Sequence, residues 1–503
     1  MVIRAGLART AASYDGLAPP FAPDAAYPEI SQLWGDALEI GPANPAFAGV
    51  RSALYALGLD ESRYDTPAWN PLGDLVTRGG SIVLKPNFIR HWNPLEEEGV
   101  SCVITHGAIL RAVADYAWIA AGKDGSLTLA EAPQMDCDWE QIRKIVGLDE
   151  LVAAYAGIGL DFRWIDLRQE AVRFQDGVVV SRSKLPGDPA GYRTCELGEQ
   201  SFFAGSGLDP QRMRGADYDP GPTSEHHDGG RNDYLLSETV LSADLVVNLP
   251  KIKTHKKTGV TLSQKNLVGI NGDKNWLPHH CLGSRQEGGD EFPESRWIDR
   301  LRSQATEWAR PWLPQGKGVA LFRLARRTEK ATRGDDFIRA GNWHGNRTTW
   351  RMCLDLNRAF LYSDAKGLHL DANRPVRQAL HVLDGIVAGE NNGPLAPTAR
   401  PLGAVIAATD PVAADLVAVR LMGFDEERLP ILREAMLEIA TPVTAVRHSD
   451  DVQVAVVDAD GQGSAASLRR LNQIESEGPF RAHPGWRGRI ETALVTDEKR
   501  ATA

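Results

Sequence analysis

Short apolar runs alternate with helix-period patterns along most of the chain. "SIVLKPNF" (81–88) predicts a strand ending at Pro86. "GAILRAVADYAWIAAG" (107–122) predicts a helix with Ile109, Val113 and Tyr116 on one stripe and Gly122 as its stop. Further strands are predicted over "SLTLAEAP" (126–133), "GLDFRWIDL" (159–167) and "ADLVVNLP" (243–250). In "VRFQDGVVVS" (172–181), Asp-Gly between two apolar runs signals a hairpin. "LGAVIAATD" (402–410) predicts a strand running into a helix over "PVAADLVAVRLMG". There Asp410 serves as cap, Pro411 fits the first helical position and Gly423 fits the end. "VQVAVVDA" (452–459) predicts a late edge strand. Alternating strands and helices predict an α/β fold, a mostly parallel sheet with helices on both faces.

Two polar stretches interrupt this pattern. Residues 183–233 are rich in Gly, Pro and Asp, and 272–346 carry many Trp, Arg and Glu. Both read as inserted lids, because long irregular segments in compact proteins are usually functional or disordered. The chain then divides into a peripheral segment (1–45), a first α/β portion (46–182), an insertion (183–233), a core strand with a lysine-rich site (234–271), a second insertion (272–346), a C-terminal α/β portion (347–470) and a tail (471–503).

A chain of 503 residues is too long for one simple core. Its net charge of -10 and pI near 5.7 argue against general nucleic-acid binding. No stretch approaches the ~20 apolar residues that cross a bilayer, and the first residues lack the apolar run of a signal peptide. Cys102, Cys137, Cys195, Cys281 and Cys353 lie far apart with no CxxC spacing. No iron–sulfur cluster is therefore expected, and the sparse, odd set points to reduced thiols in a cytoplasm.

Against this acidic background stands "NLPKIKTHKKTGVTLSQKNLVGING" (248–272), with five lysines and one histidine between Lys251 and Lys265. It follows a predicted buried strand, and in open α/β sheets ligands bind beyond the carboxyl ends of strands. "TGVTLSQKNLVGI" predicts a short helix capped by Thr258, with Gly259 giving close backbone approach. A helix start favours an anion. Lys251, Lys253, Lys265 and Asn266 would then help cradle a carboxylate or phosphate. Lys265 or His255 would serve as base or nucleophile. Lys256 and Lys257 read as a solvated face. Lys85 and Asn87 end one predicted strand and Glu131 ends the next. Asp384 and Glu390 stand in "HVLDGIVAGENNGP", a predicted tight loop after a strand, where they would partner the lysines. Lys85, Glu131, Lys251 and Asp384 are expected at one edge of the sheet, in a shared crevice. Asp415, inside a helix, must be exposed or paired.

His226 and His227, like His279 and His280, are weak candidates for a divalent metal. Adjacent histidines point in different directions, and zinc sites prefer wider spacings. No metal is expected, and these side chains read as lid residues near the substrate. "GINGDKN" is neither a P-loop nor a dinucleotide fingerprint, and no GxSxG elbow exists.

Three segments together resemble the family catalogued as domain of unknown function 362. They are "VLKPNF" with Lys85, Pro86 and Asn87, then "LPKIKTHKKTGVTLSQKNLVG", then "LDGIVAGENNGP" with "GAVIAATDPVAADLVAVRLMG". The last carries Asp384, Gly385, Glu390, Gly393, Pro394, Asp410, Pro411 and Asp415. The resemblance spans about residues 80 to 425, outside the two insertions. Some relatives carry ferredoxin-type segments, whose cysteine runs this chain lacks. "ADLVVNLPKIKTHKKTGVTLSQKN" is also similar to a segment of nickel-pincer lactate racemases. That resemblance implies a catalytic role for His255 and matches Lys265 to the cofactor-bearing lysine. Ser263-Gln264 stands where those enzymes have Gly-Gly, and their other histidine motifs are missing. Only the geometry of the site is therefore carried over.

These observations together predict an enzyme acting on a small anionic substrate by Lys/His acid–base or covalent chemistry, in the manner of a racemase, epimerase or lyase. Partners in nucleic acid or membrane are not expected. The rival is a non-catalytic binding or assembly protein holding an anionic ligand or a metal cofactor.

Overall fold

The computed structural model describes residues 2–175, 178–217, 220–309, 338–370, 374–459 and 466–492. Eleven strands of these residues form one mixed sheet. They are β1 (Ile3–Arg9), β2 (Ser81–Pro86), β3 (Ser126–Glu131), β4 (Phe162–Asp166), β5 (Leu245–Leu249), β6 (Lys251–His255), β7 (Gly259–Thr261), β8 (Gln378–Asn392), β9 (Ala396–Ala408), β10 (Val452–Asp458) and β11 (Ser467–Arg470). The order is β11-β10-β1-β9-β8-β5-β2-β3-β4, with β6 on β8 and β7 on β6. Every neighbouring pair from β8 through β5, β2 and β3 to β4 is parallel.

Helices cover both faces, as the alternation of strands and helices predicts. On one side lie α1 (Pro45–Leu57) and α2 (Gly107–Ala121), the latter stopped by Gly122 at φ +68°. On the other lie α3 (Ser263–Asn266), α4 (Thr349–Tyr362) and α5 (Pro411–Leu421). Strand side chains alternate between these layers. Val405 and Ala407 join the core beneath α1 and α2, while Ala404 and Ile406 join the core beneath α4 and α5.

Several expected boundaries move. The first residues are not peripheral, because β1 lies inside the sheet between β9 and β10. The tail is not loose over its described part, since Phe480, Trp486 and Ile490 are buried in the core. Strand β10 is not an edge, because β11 pairs outside it. "HVLDGIVAGENNGP" is not a loop. β8 runs unbroken through Asp384 and Glu390, held by β9 along its length. The hairpin strands form as Glu170–Gln175 and Val178–Lys184, paired antiparallel; their Asp-Gly turn lies outside the described residues. No helix among the described residues is long and apolar enough to cross a membrane.

Candidate functional site

The lysine-rich stretch is a second strand rather than a loop after the first. Pro250 has no N–H to continue the ladder, and its carbonyl instead accepts from Asp384 N at 2.9 Å. β6 then pairs with β8, placing Lys251 opposite Asp384 and Lys253 opposite Gly389. β7 folds back on β6, with His255 opposite Gly259 at φ +83°.

The short helix therefore starts at Ser263 and is not capped by Thr258. Its first N–H groups donate to Asp415 of α5, Ser263 N to Oδ1 at 2.7 Å and Gln264 N to Oδ2 at 3.2 Å. The anion that a helix start favours is thus supplied by the protein itself. Burial pushes the Asp415 carboxyl up to about 7 despite these bonds.

Six lysines of this region are buried: Lys85, Lys251, Lys253, Lys257, Lys265 and Lys274. Two have carboxylate partners. Lys85 Nζ lies 2.5 Å from Glu131 Oε2 and 2.7 Å from the Pro86 carbonyl. Lys251 Nζ lies 2.7 Å from Asp384 Oδ2, and both side chains are fully buried. Gly269, the glycine of "KNLVG", sits directly on the first pair; a Cβ there would stand 1.9 Å from Glu131 Oε1 and 2.5 Å from Lys85 Nζ.

These two pairs share the carboxyl end of the parallel strands but lie on opposite faces of the sheet. Lys85 has the parity of Val83, in the core beneath α4 and α5. Asp384 has the parity of Val382, in the core beneath α1 and α2. There Asp384 accepts from the Tyr14 hydroxyl and from His106 N at 3.0 Å. Tyr14 and His106 stack at 3.8 Å. The single crevice expected from the sequence is therefore two half-sites, joined by amides. Lys253 Nζ donates to Asn87 Oδ1 at 2.7 Å and to the Val103 carbonyl, Asn87 Nδ2 donates to Asn266 Oδ1 at 2.7 Å, and Asn266 Nδ2 reaches Asn248 Oδ1 at 2.7 Å.

The remaining lysines lie on the half-site around Lys265. Lys274 donates to the Val268 carbonyl at 2.7 Å and Lys257 to the Ala340 carbonyl. Lys265 has no hydrogen-bond acceptor among the described residues. Burial lowers its affinity for a proton, and its charge in turn disfavours protonation of Lys85, Lys253, His255, Lys257, Lys274 and His279. Burial first, then neighbouring lysines, pushes Lys257 down to about 7. Burial, with Lys85 and Lys265 against Glu131, does the same for Lys274. The expectation that Lys257 is solvated is therefore corrected: its stem crosses beneath the second insertion. Lys256, whose ammonium makes no hydrogen bond among the described residues, is only half-buried.

The two imidazoles beside Lys265 have opposite tautomers. His255 Nδ1 accepts from Lys257 N at 3.0 Å and Thr258 N at 3.2 Å, so its proton sits on Nε2 and it is a donor. His279 Nδ1 lies 2.7 Å from the Leu277 carbonyl, to which it must donate, leaving the Nε2 lone pair as acceptor. Burial, then Lys265, pushes His279 down to about 3, which keeps it neutral.

Other candidates fall elsewhere. Glu390 pairs with Arg481, Oε1 to Nε at 2.6 Å, and accepts its backbone N–H at 2.9 Å. His226 stacks on Trp276 at 3.3 Å. His227 engages Asn232 and the Trp276 carbonyl. His280 is buried on a strand paired with Arg214. Among the described residues, no group of three or more His, Cys, Asp or Glu comes together to hold a metal. Ammonium groups supply no lone pair to a cation. Sequence reasoning missed Lys274, Gly269, Tyr14 and the Asp415 cap. Lys274 stood in view within "GINGDKN".

A mostly parallel α/β sheet with buried lysines at the carboxyl end of its strands is the class that fold and site define. Residues 196–420 match the family described as Domain of unknown function (DUF362). The match takes in β5 to β9 and most of α5, and leaves out Lys85, Asn87 and Glu131. A crystal structure of a protein from Thermotoga maritima is similar at a TM-score of 0.30 and 10% identity, covering 70% of this chain and 53% of that one. The chain thus spans about half the length of that protein. No curated protein matches the chain.

Proposed function

We propose that this protein is an enzyme that binds a small anionic substrate beside Lys265 and moves a proton on it, as an isomerase, epimerase or lyase does. The observation that carries this reading is the Lys265 ammonium, buried and without an acceptor among the described residues. A buried cation without a counterion is costly, and a bound carboxylate or phosphate removes that cost. Lys274 adds charge to the same anion. His255, held as the Nε2–H donor, polarises a substrate oxygen. The Nε2 lone pair of His279, or Lys265 in its neutral form, receives the proton. Charge building on the substrate is met by fixed cations in a dry site, where each interaction is stronger than in water. Asp384 and Glu390, expected as acid–base partners, act here as counterions that hold Lys251 and Arg481 in place. A reducing compartment such as the cytoplasm suits the five cysteines, all unpaired and buried.

The test is retention and conversion of acids from a pool of small carboxylic and phosphorylated metabolites, read by mass spectrometry on the full chain. Lys265→Met should lose the retained acid, by about 2–5 kcal/mol of binding, and its conversion, with the melting temperature preserved. Retention without conversion, lost equally in Lys265→Met, would favour the rival reading of a binding protein. Equal retention by wild type and variant would overturn both.

A further inference from the structure

The charge of the Lys265 half-site does not balance with a single negative group. Lys257, Lys265 and Lys274 have no carboxylate hydrogen-bonded to them among the described residues. The nearby carboxylates are already committed, Glu291 among them, which acts on Lys257 and accepts from Gly283 N at 3.0 Å and the Ser303 hydroxyl at 2.9 Å. Glu131 belongs to Lys85. Asp415 belongs to the start of α3. Asp290, which acts on Lys257 from further off, accepts from Cys281 N, Arg347 N and the Thr348 hydroxyl, each at 2.7 Å. The half-site also holds two neutral imidazoles, one offering a donor and one an acceptor.

We propose that this half-site takes a ligand carrying at least two negative charges on one small molecule, a phosphate ester or a di- or tricarboxylate, seated between Lys265 and Lys274. The inference rests on the reading of Lys265 as an anion site and narrows its ligand. A monocarboxylate would neutralise one ammonium and leave its neighbours to repel one another in a low-dielectric setting. A second negative group turns that repulsion into attraction for Lys257 and Lys274 together. The Val268 and Ala340 carbonyls that now hold Lys274 and Lys257 each satisfy only one of three ammonium protons, so both lysines keep donors for such a ligand.

The experiment is calorimetric titration of the full chain at pH 7 and matched ionic strength with acetate, succinate, inorganic phosphate and pyrophosphate. The dianions and pyrophosphate should bind at least about tenfold more tightly than acetate, about 1.4 kcal/mol. Comparing succinate with phosphate separates the two chemical sources. Lys265→Met and Lys274→Met should each remove most of that preference, while Lys256→Met keeps it. Lys274→Arg, which preserves charge, should restore much of it if Lys274→Met folds poorly. Acetate binding as tightly as the others, with loss in Lys265→Met, would overturn this inference and leave the anion site standing. Binding by none of them, or binding unchanged in both variants, would overturn the inference and the anion site together.

Discussion

Lys251 and Asp384 face each other directly across β6 and β8, Nζ 2.7 Å from Oδ2, with neither side chain exposed. No other acceptor among the described residues reaches Lys251, whereas Asp384 also receives Tyr14 and His106 N. The carboxylate is therefore the hub, and losing it strands a buried ammonium. Asp384→Asn should cost about 3–5 kcal/mol. Lys251→Met combined with Asp384→Asn should cost clearly less than the two single changes summed, read from urea midpoints. Additive losses would show that the pair is not coupled.

Gly269 tests the other pair. An alanine there must displace Glu131 or Lys85, since its Cβ would fall within 2.5 Å of both side chains. Overpacking of this kind typically costs about 1–3 kcal/mol, and here it also opens an ion pair. Gly269→Ala should lower the melting temperature and weaken anion binding at Lys265, which follows four residues earlier in the same segment. A variant as stable as wild type would mean that the close approach is not tight in solution.

Asp415 is a structural cap rather than a ligand group. Replacing it with alanine orphans two buried N–H groups at Ser263 and Gln264, at about 1–3 kcal/mol for each. Amide exchange at Ser263 and Gln264 should speed up in Asp415→Ala before the rest of the sheet responds. Unchanged protection would remove this role.

The lysines give the unliganded protein a definite pH dependence. Lys257 and Lys274 are pushed down to about 7 by burial and Lys256 to about 8, against about 10.4 in an unfolded chain. Between pH 7 and 10 the unfolded chain binds more protons, so these groups make stability rise with pH across that window. Below 7 both states are protonated and the contribution levels off. Asp415 works in the opposite sense between about 4 and 7, and the buried cysteines, whose thiols burial pushes up, oppose the lysines as unfolded thiols ionise at about 8.5. Melting curves at pH 7, 7.5 and 8 should climb for wild type and flatten in Lys257→Met with Lys274→Met. Equal slopes would contradict the placement of these lysines. A bound polyanion restores the protons, so its affinity should fall as pH rises from 7 to 9.

Much of this molecule was legible as local pattern. The strand at Ser81–Pro86, the helix from Gly107 to its stop at Gly122, and Asp410 capping α5 through Val412 N and Ala413 N all follow from residues within a few positions of one another. The gathering of polar strand ends was legible too, because an apolar run followed by Lys or Glu marks where a parallel sheet opens. Other features were misread because their cause lies far along the chain. Asp384 and Glu390 sit in "DGIVAGENNG", which reads as a loop by composition, yet β9 and β6 draw it into a strand. Lys257 looks solvated in sequence and is buried by Ala340, over eighty residues away.

The sequence by itself determined the α/β class and the buried strand that leads into the lysines, since burial periodicity and helix signals are written in adjacent residues. Only the tertiary structure decided that Asp415 would occupy the helix start and that Lys251 and Lys85 would take partners on opposite faces of the sheet. It likewise decided that Lys265 alone of those three would be left without an acceptor among the described residues. The physical reason is that a counterion is chosen by distance in space and by strand parity. For Lys85 it comes from Glu131 and for Lys251 from Asp384 on a distant strand, and for Lys265 from none among the described residues.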